Sequence, residues 1–274
     1  MVDTGGTVFE GYASRKPDPK THGRAMRLRL LAAFCLALAS GPAVAQQILA
    51  LEDRPGGAQL DILFLPEDAG RLDAVPEDGA TRLLVTGAYS SGERLAPEGM
   101  VIRDGRPTHP WPQGWDGLLV VAQSGAASLH AVSAVKWRDS IFDLRERSAR
   151  ERFLSTAARE RLSVVQSHLL IRDGVLDLRP VENARLFRRR ILFQTRDGRI
   201  GVYDTSPRSL TLYDAAAELQ QRVDPAMAFN LDMGAYDFCE RTVGGEAESC
   251  GLLRRDGLDK LTNVIELTLP ASPD

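Results

Sequence analysis

The sequence predicts an α+β fold, built on a mixed, largely antiparallel sheet with a few packed helices. Three observations favour this class: short runs of β-branched and aromatic residues recur along the chain, Asp-Gly pairs separate several of them, and two longer segments have a helical apolar period. Strands interspersed with helices, without a regular βαβ rhythm, are typical of α+β proteins.

The strands are predicted from short runs that have strand length and composition and are bounded by turn residues. In chain order they span residues 59–65, 82–87, 100–103, 118–122, 128–132, 169–172, 191–195, 200–203, 227–231 and 264–269. The pairs Asp104-Gly105, Asp173-Gly174 and Asp197-Gly198 indicate tight hairpins, because Asp and Gly tolerate a positive φ. We therefore expect at least the strands that flank Asp197-Gly198 to pair antiparallel.

Two helices are predicted from apolar residues that recur at helical spacing. The first spans about residues 142–165, with one apolar face formed by Leu144, Phe153, Leu154, Ala157, Ala158, Leu162 and Val165. The second spans about residues 212–221. Thr211, followed three residues later by Asp214, resembles a capping box at the start of the second helix.

Residues 1–45 are interpreted as an upstream extension and a cleaved signal peptide. Met26-Arg-Leu-Arg29 has the positive charge of such a leader, residues 30–39 are apolar, and Ala43-Val-Ala45 has the small-x-small pattern of a cleavage site. The apolar run is too short to span a bilayer. We therefore expect a periplasmic or secreted protein without a membrane span after cleavage, whose single domain comprises residues 46–274.

The charge balance disfavours nucleic acid as a partner. Residues 1–45 hold six basic and three acidic residues, so the rest of the chain has 28 basic against 34 acidic residues and a net charge of −6. Nucleic-acid-binding domains usually carry a basic surface instead.

Two cysteines remain after the leader is removed, Cys239 and Cys250. An even number of cysteines in an oxidising compartment predicts a disulfide. Zinc would require a Cys-x-x-Cys or His spacing that the chain does not show.

An acidic and a basic residue point to a site for an anionic ligand. The apolar run Met227–Gly234 places Asp232 where a strand should end, and an ionised Asp beside a core strand costs several kcal/mol unless it is paired or used. The strand-like run that follows Arg188 supplies guanidinium groups suited to phosphate or carboxylate. Strand alternation allows only one of Arg189 and Arg190 to face the site; we choose Arg189 and expect Arg188 and Arg190 to be solvated or edge-strand charges.

A succession of short motifs resembles the phosphodiester glycosidase family, which includes the enzyme that removes N-acetylglucosamine from a sugar 1-phosphodiester. The most recognisable motif is Asn230-Leu-Asp-Met-Gly234, followed by Arg189 at the start of the strand before Asp197-Gly198. The other motifs are Leu84-Val-Thr-Gly-Ala-Tyr89, Pro97-Glu-Gly-Met-Val-Ile-Arg-Asp-Gly105, Trp115-Asp-Gly-Leu-Leu-Val120, Gln166-Ser167 before Leu169-Leu-Ile-Arg-Asp-Gly174, Ser209-Leu-Thr-Leu-Tyr-Asp-Ala-Ala216 and Leu261-Thr-Asn-Val-Ile265.

The resemblance implies an exported hydrolase that cleaves the glycosidic bond of a sugar 1-phosphodiester, with a glycosyl phosphodiester or an envelope glycan as substrate. Asp232 would act as base or nucleophile at the anomeric carbon, and Arg189 would hold the phosphate. The expected substrate-binding residues are Gln166, Ser167, His168, Tyr89, Asn230 and Gly234. No cofactor is implied; carboxylates at Asp232 and Asp237 suit a divalent cation, but no metal motif supports one.

Three alternatives stay open at this point. Met233 stands where the family usually has Gly, which favours a catalytically inactive protein that binds anionic glycans on the same fold. A structural envelope protein without a small-molecule site is a second alternative. In the third, Asp232 and Arg189 form a buried ion pair with no functional role.

Overall fold

The computed structural model describes residues 48–77, 79–91, 96–111 and 114–271; the expected leader, residues 1–45, lies outside them. The strands in this part of the chain are β1 (Ile48–Leu51), β2 (Gln59–Phe64), β3 (Thr81–Thr86), β4 (Ser90–Ser91), β5 (Ala96–Pro97), β6 (Val101–Arg103), β7 (Arg106–His109), β8 (Gly117–Val121), β9 (Ala127–Ala131), β10 (Val135–Trp137), β11 (Ser140–Phe142), β12 (Ser163–Ser167), β13 (Leu169–Arg172), β14 (Val175–Leu176), β15 (Arg190–Thr195), β16 (Ile200–Asp204), β17 (Pro225–Asn230), β18 (Cys239–Val243), β19 (Glu246–Ser249) and β20 (Asn263–Leu269).

Two α-helices accompany the strands, α1 (Arg147–Glu160) and α2 (Leu212–Val223). Three short 3-10 helices span Ala69–Asp73, Gly234–Tyr236 and Arg255–Lys260. Neither α-helix is long and apolar enough to cross a membrane, and this holds for the described residues as a whole.

The strands form three main sheets. Their strand orders are β1-β16-β15-β17-β13-β14, β7-β6-β12-β8-β9 and β19-β18-β3-β20-β2, and two-stranded ribbons pair β4 with β5 and β10 with β11. All ladders between these strands are antiparallel. The predicted α+β class with largely antiparallel pairing is confirmed, but the strands divide among several sheets.

A central core lies between the three sheets, and each helix covers an outer face. In β8, Leu119 and Val121 point into the central core, whereas Leu118 and Val120 pack towards α1. This division follows from strand geometry, because successive side chains point to opposite faces. Strand β8 is therefore apolar throughout because both of its faces are covered.

The ten predicted strands are all present, with ends that differ from the prediction by at most two residues. Each Asp-Gly pair lies in a hairpin turn, and the strands that flank Asp197-Gly198 pair antiparallel as predicted. Asp104-Gly105 and Asp173-Gly174 have positive φ at both residues, which is the backbone twist that two-residue hairpins favour.

The predicted first helix is wrong at both ends. Helix α1 ends at Glu160, because Arg161 adopts the left-handed conformation with a φ of 53°, and Val165 lies in β12. Phe142 belongs to β11. The helical spacing of apolar residues extends into β11 and β12 by coincidence. The β-branched pair that follows Ser163 favours an extended backbone instead of a helix.

The second helix begins as predicted. Thr211 is its N-cap, and the Thr211 hydroxyl accepts a hydrogen bond of 3.0 Å from the backbone N–H of Asp214. The hydroxyl also donates to the Asp214 carboxylate at 2.7 Å.

Replacing this cap should weaken the helix. We expect Thr211→Ala to lower the free energy of unfolding by about 1 kcal/mol, because an orphan N–H of the first turn loses its acceptor. Urea denaturation measures the difference, and Thr211→Ser, which keeps the hydroxyl, is the matched control. Equal losses in both variants would contradict a capping role.

The predicted disulfide joins Cys239 and Cys250, which lie 11 residues apart. It closes the end of the β18–β19 hairpin, next to the pair formed by Glu240 and Ser249. The bond anchors the chain shortly after Asp232.

Candidate functional site

Asp232 follows the end of β17, and Arg189 precedes the start of β15, the strand beside β17. Strands β15 and β17 pair antiparallel with Ile191 opposite Asn230. The ladder continues one step, because the backbone N–H of Leu231 donates to the carbonyl of Arg190 at 3.0 Å. One residue further along the same register lie Arg189 and Asp232, where the two chains leave the sheet.

Asp232 is a buried carboxylate whose hydrogen bonds with described residues come from backbone N–H groups. It is 7% exposed, and its two oxygens accept hydrogen bonds from the N–H groups of Ser90 at 3.1 Å and Met233 at 2.9 Å. Burial raises the pKa of Asp232 to about 6; the two N–H donors oppose that shift and the nearby charge of Glu98 adds to it. Such a pKa near neutrality is typical of carboxylates that take part in chemistry.

The loop that follows β3 is positioned against Asp232 by the side chain of Asn263. The Gly87 carbonyl accepts the backbone N–H of Asp232 at 2.8 Å. The Asn263 amide accepts from the N–H of Ala88 at 2.8 Å and donates to its carbonyl at 3.2 Å. A Cβ on Gly87 would lie 1.9 Å from this amide oxygen, so the close approach requires glycine.

Removing the Asn263 side chain should destabilise this arrangement. We expect Asn263→Ala to lower the free energy of unfolding by about 1–3 kcal/mol, because the buried N–H and carbonyl of Ala88 lose their partner. Urea denaturation measures the loss. Gln123→Ala, on an exposed turn, is the control and should change stability by less than about 0.5 kcal/mol. A similar small change for Asn263→Ala would show that water replaces the amide.

Arg189 is half-buried and forms no ion pair with a described residue. Its Nε donates to the carbonyl of Leu210 at 3.3 Å, its Nη2 donates to the carbonyl of Arg185 at 3.4 Å, and its guanidinium lies 5.0 Å from the ring centre of Phe187. Burial lowers the pKa of Arg189. The direct ion pair with Asp232 that the sequence left open is not formed in the structure.

Tyr89 lies within the electrostatic reach of both charges. Burial raises the pKa of Tyr89 to about 12; the charge of Asp232 adds to this shift, while a hydrogen bond to Asn230 and the charge of Arg189 oppose it. The Asn230 amide donates to the Tyr89 hydroxyl.

An aromatic row extends from Tyr89. The Trp115 ring is stacked on the Tyr89 ring with 4.6 Å between ring centres. The ring centres of Trp115 and His168 lie 5.8 Å apart, and these two rings are tilted relative to each other. The indole N–H of Trp115 donates to the Glu98 carboxylate at 3.2 Å, and the backbone N–H of Glu98 donates to the Tyr89 carbonyl at 2.8 Å. These hydrogen bonds to Trp115 and Tyr89 hold Glu98 near Asp232.

Glu98 was not singled out by the sequence analysis, and Trp115 was used only as part of a motif. Both residues lie in motifs of the resemblance, but a glutamate after a proline has no local pattern that separates it from a surface glutamate. Only the pairing of the chain near Tyr89 brings Glu98 towards Asp232.

The side chains of Gln166 and Ser167 form hydrogen bonds with backbone groups of neighbouring segments. Both side chains are fully buried. Gln166 accepts from the N–H of Met100 at 2.6 Å and donates to the carbonyl of Trp115, and Ser167 donates to the carbonyl of Asn230 at 2.7 Å. Their polar groups are thus used to hold neighbouring segments together.

Gly234 and Met233 follow Asp232 at the surface. Gly234 is exposed, has a φ of +79°, and has open space where a Cβ would lie. It begins the short 3-10 helix Gly234–Tyr236. Met233 is half-buried, and its N–H is one of the two donors to Asp232.

The prediction that Arg190 is a solvated or edge charge is wrong. Arg190 is fully buried, since β15 lies between β16 and β17 in the interior of its sheet. Its guanidinium contacts the carboxylates of Asp204 at 2.6 Å and Asp237 at 3.0 Å, and it donates to the carbonyl of Phe238 at 3.1 Å. Asp237 therefore forms a buried ion pair with Arg190.

Two cavities lie elsewhere on the described surface. The first has a volume of about 510 Å³, lies between β2 and the turn that follows β8, and is lined by paired charges such as Arg103 with Asp68 and Arg161 with Asp104. The second lies along α2. None of the predicted site residues lines either cavity. Within residues 48–271, leaving aside the short undescribed gaps, no three His, Cys, Asp or Glu side chains are grouped to hold a metal ion.

Comparisons with known proteins give weak structural similarities. No protein-family model and no curated protein matches the chain. The catalytic domain of zebrafish N-acetylglucosamine-1-phosphodiester α-N-acetylglucosaminidase, auto-inhibited by its pro-peptide, matches with a TM-score of 0.46 and 10% identity over 76% of this chain and 72% of that chain. A hypothetical protein from Synechocystis matches with a TM-score of 0.46 and 12% identity over 79% of this chain and 58% of that chain. At this level of similarity neither structure informs the chemistry of the site.

Proposed function

We propose that the protein is an exported hydrolase that cleaves the glycosidic bond of a sugar 1-phosphodiester. The observation that carries the proposal is a buried carboxylate, Asp232, that has no cationic partner among the described residues. Arg189, which also forms no ion pair with a described residue, immediately precedes the neighbouring strand β15. Burying a charge without a partner costs free energy, so its retention at the end of a strand favours a functional role.

In the proposed reaction Asp232 acts at the anomeric carbon. As a base it accepts a proton from a water molecule whose oxygen bonds to that carbon; as a nucleophile it bonds to the carbon directly and water later releases the sugar. In both cases the bond between the anomeric carbon and the phosphate oxygen breaks, and its electron pair leaves with the phosphate. A pKa of about 6 keeps most Asp232 ionised at neutral pH, as either role requires.

Arg189 provides the charge that the leaving phosphate needs. A phosphate ester departs as an anion and requires little protonation, so a guanidinium that offsets the developing charge suffices. Arg189 donates to carbonyls at 3.3 and 3.4 Å, which are long contacts that an anionic ligand can replace. We assign the phosphate to Arg189 and the sugar to the aromatic row of Tyr89, Trp115 and His168.

A turnover assay tests the proposal. The purified protein should release free sugar from a panel of hexose and N-acetylhexosamine 1-phosphodiesters, with the phosphate monoester as the other product. Release of sugar from sugar 1-phosphomonoesters alone, or no release from any member of the panel, would reject the proposed reaction.

A second candidate is an inactive protein that binds anionic glycans through the same residues. The low exposure of Asp232 and the presence of Met233 beside it favour this candidate, because both limit the access of a sugar to the carboxylate. Calorimetric binding of the same panel without turnover, lost in Arg189→Met, would establish it.

Export is part of the proposal and has its own test. Expression of the full chain in a bacterial host with a periplasm should give a product that begins near Gln46, with the mature protein in the periplasmic or secreted fraction. N-terminal sequencing that finds residues 1–45 retained on a cytoplasmic product would contradict it.

A further inference from the structure

The segment that leads into Arg189 exposes several large apolar side chains. Residues 179–189, which we call the basic strap, connect β14 to β15 without a helix or a strand. Three of its apolar side chains are exposed: Val181 by 69%, Leu186 by 61% and Phe187 by 41%. Exposed large apolar side chains that lie close together usually mark an interaction surface.

The basic strap also carries cations without partners. It contains Arg179, Arg185, Arg188 and Arg189, and a single acidic residue, Glu182. None of the four guanidiniums forms an ion pair with a described residue, whereas surface arginines such as Arg145 and Arg147 do. The surplus is local, because the chain as a whole has a net charge of −3.

Hydrogen bonds hold the basic strap in this conformation. Phe187 and Leu210 exchange backbone hydrogen bonds of 3.1 and 2.8 Å, and the N–H of Ala184 donates to the carbonyl of Val181 at 3.3 Å. The Arg189 guanidinium donates to the carbonyl of Arg185 and lies over the Phe187 ring. Hydrogen bonds to neighbouring segments therefore fix the backbone of the basic strap near Val181 and Phe187.

We propose that the basic strap binds the surface of an anionic phospholipid bilayer. Leu186 and Phe187 would enter the interfacial region while Arg185 and Arg188 contact lipid phosphates. The combination of exposed apolar side chains with a local basic surplus is the chemistry that anionic membrane surfaces recognise. Nucleic acid would make little use of the exposed Leu186 side chain.

Docking in this way has a consequence for the candidate site. The basic strap ends at Arg189, immediately before β15, and Asp232 follows the neighbouring strand β17. Membrane binding would therefore hold the site next to the bilayer, where substrates attached to lipid would be concentrated. The binding itself is independent of the proposed hydrolysis, so failure of one leaves the other standing.

Vesicle co-sedimentation of the mature protein tests the proposal. The probes are phosphatidylcholine vesicles with and without about one third phosphatidylglycerol, at low and at physiological salt. We expect binding only to the anionic vesicles, weakened by salt. Arg185→Gln combined with Arg188→Gln should weaken binding roughly 25-fold, or about fivefold per arginine.

Two further variants separate the contributions. Leu186→Ser combined with Phe187→Ser keeps the charge and should also weaken binding, because the apolar part of the contact is lost. Arg152→Gln combined with Arg241→Gln is the control, since both arginines are exposed and have no ion pair with a described residue. Circular dichroism confirms that each variant is folded, and an unfolded variant is replaced by the corresponding single substitutions.

Several results would overturn the proposal. These are equal binding to vesicles with and without phosphatidylglycerol, equal losses in the strap and control variants, or no binding at low salt. Binding to heparin or to double-stranded DNA as tight as binding to the anionic vesicles would also overturn it, because it would indicate unselective attraction of polyanions.

Discussion

Asp232→Asn should reduce kcat/KM for a sugar 1-phosphodiester by about 10²- to 10⁴-fold. The amide cannot accept a proton from water and cannot bond to the anomeric carbon, so both roles open to Asp232 are lost. The substitution keeps the size of the side chain and at least one of the hydrogen bonds from Ser90 and Met233. Binding of the substrate phosphate through Arg189 should remain, so the loss should appear in kcat.

The pH dependence of the wild-type protein provides an independent check. Because burial raises the pKa of Asp232 to about 6, kcat/KM should rise with pH up to about 6 and then level off, since the ionised form is the active one. Removing the nearby charge with Glu98→Gln should move this limb to lower pH. A limb near pH 4, the ordinary range for Asp, would contradict the environment described for Asp232.

Asp232→Asn should also stabilise the protein at neutral pH. Folding raises the pKa of Asp232 from 3.8 to about 6, so the folded state binds more protons than the unfolded state between these values. The free energy of unfolding therefore falls as the pH rises through that window. Asp232→Asn removes this loss, which is at most about 3 kcal/mol for a shift of about two pKa units.

Urea denaturation at two pH values tests this effect on stability. At pH 7 Asp232→Asn should be more stable than the wild type, and at pH 4 the advantage should largely disappear. A less stable variant at pH 7 would mean that the carboxylate has a partner that stabilises its charge, and the functional argument from an unpaired buried charge would fail.

Arg190→Met should lower the free energy of unfolding by about 3–5 kcal/mol. Arg190 is fully buried and contacts both Asp204 and Asp237, which are themselves buried. Removing the cation leaves two carboxylates without their counter-charge and the Phe238 carbonyl without a donor. The loss should be measured by urea denaturation at pH 7.

The neighbouring arginine provides the control for this variant. Arg188→Met, two positions earlier, should change stability by less than about 0.5 kcal/mol, because Arg188 is partly exposed and forms no ion pair with a described residue. Adding Asp204→Asn and Asp237→Asn to Arg190→Met should recover much of the loss, since the uncompensated charges are gone. A small effect of Arg190→Met alone would contradict a stabilising role for the buried Arg190 guanidinium.

Local patterns in the sequence were sufficient for much of the fold. The Asp-Gly hairpins, the Thr211 cap and the strands near residues 169–172 and 264–269 were predicted from adjacent residues, because turn geometry and side-chain alternation depend on short-range sterics. The pairing of Cys239 with Cys250 was predicted from the number of cysteines outside the expected leader. Asp232 and Arg189 were selected by residue type next to strand ends, and their shared role in a site stays a prediction.

Tertiary structure decided the rest. The end of α1 depended on the left-handed conformation of Arg161 and on the pairing of β12 within its sheet. The helical spacing of apolar residues revealed neither. The burial of Arg190 followed from the position of β15 inside its sheet, and the approach of Glu98 to Asp232 followed from the pairing of two loop segments. Burial and proximity between distant residues arise from how strands assemble into sheets. The sequence alone therefore determined which elements and candidate charges the protein has, whereas packing determined which of those charges are neutralised.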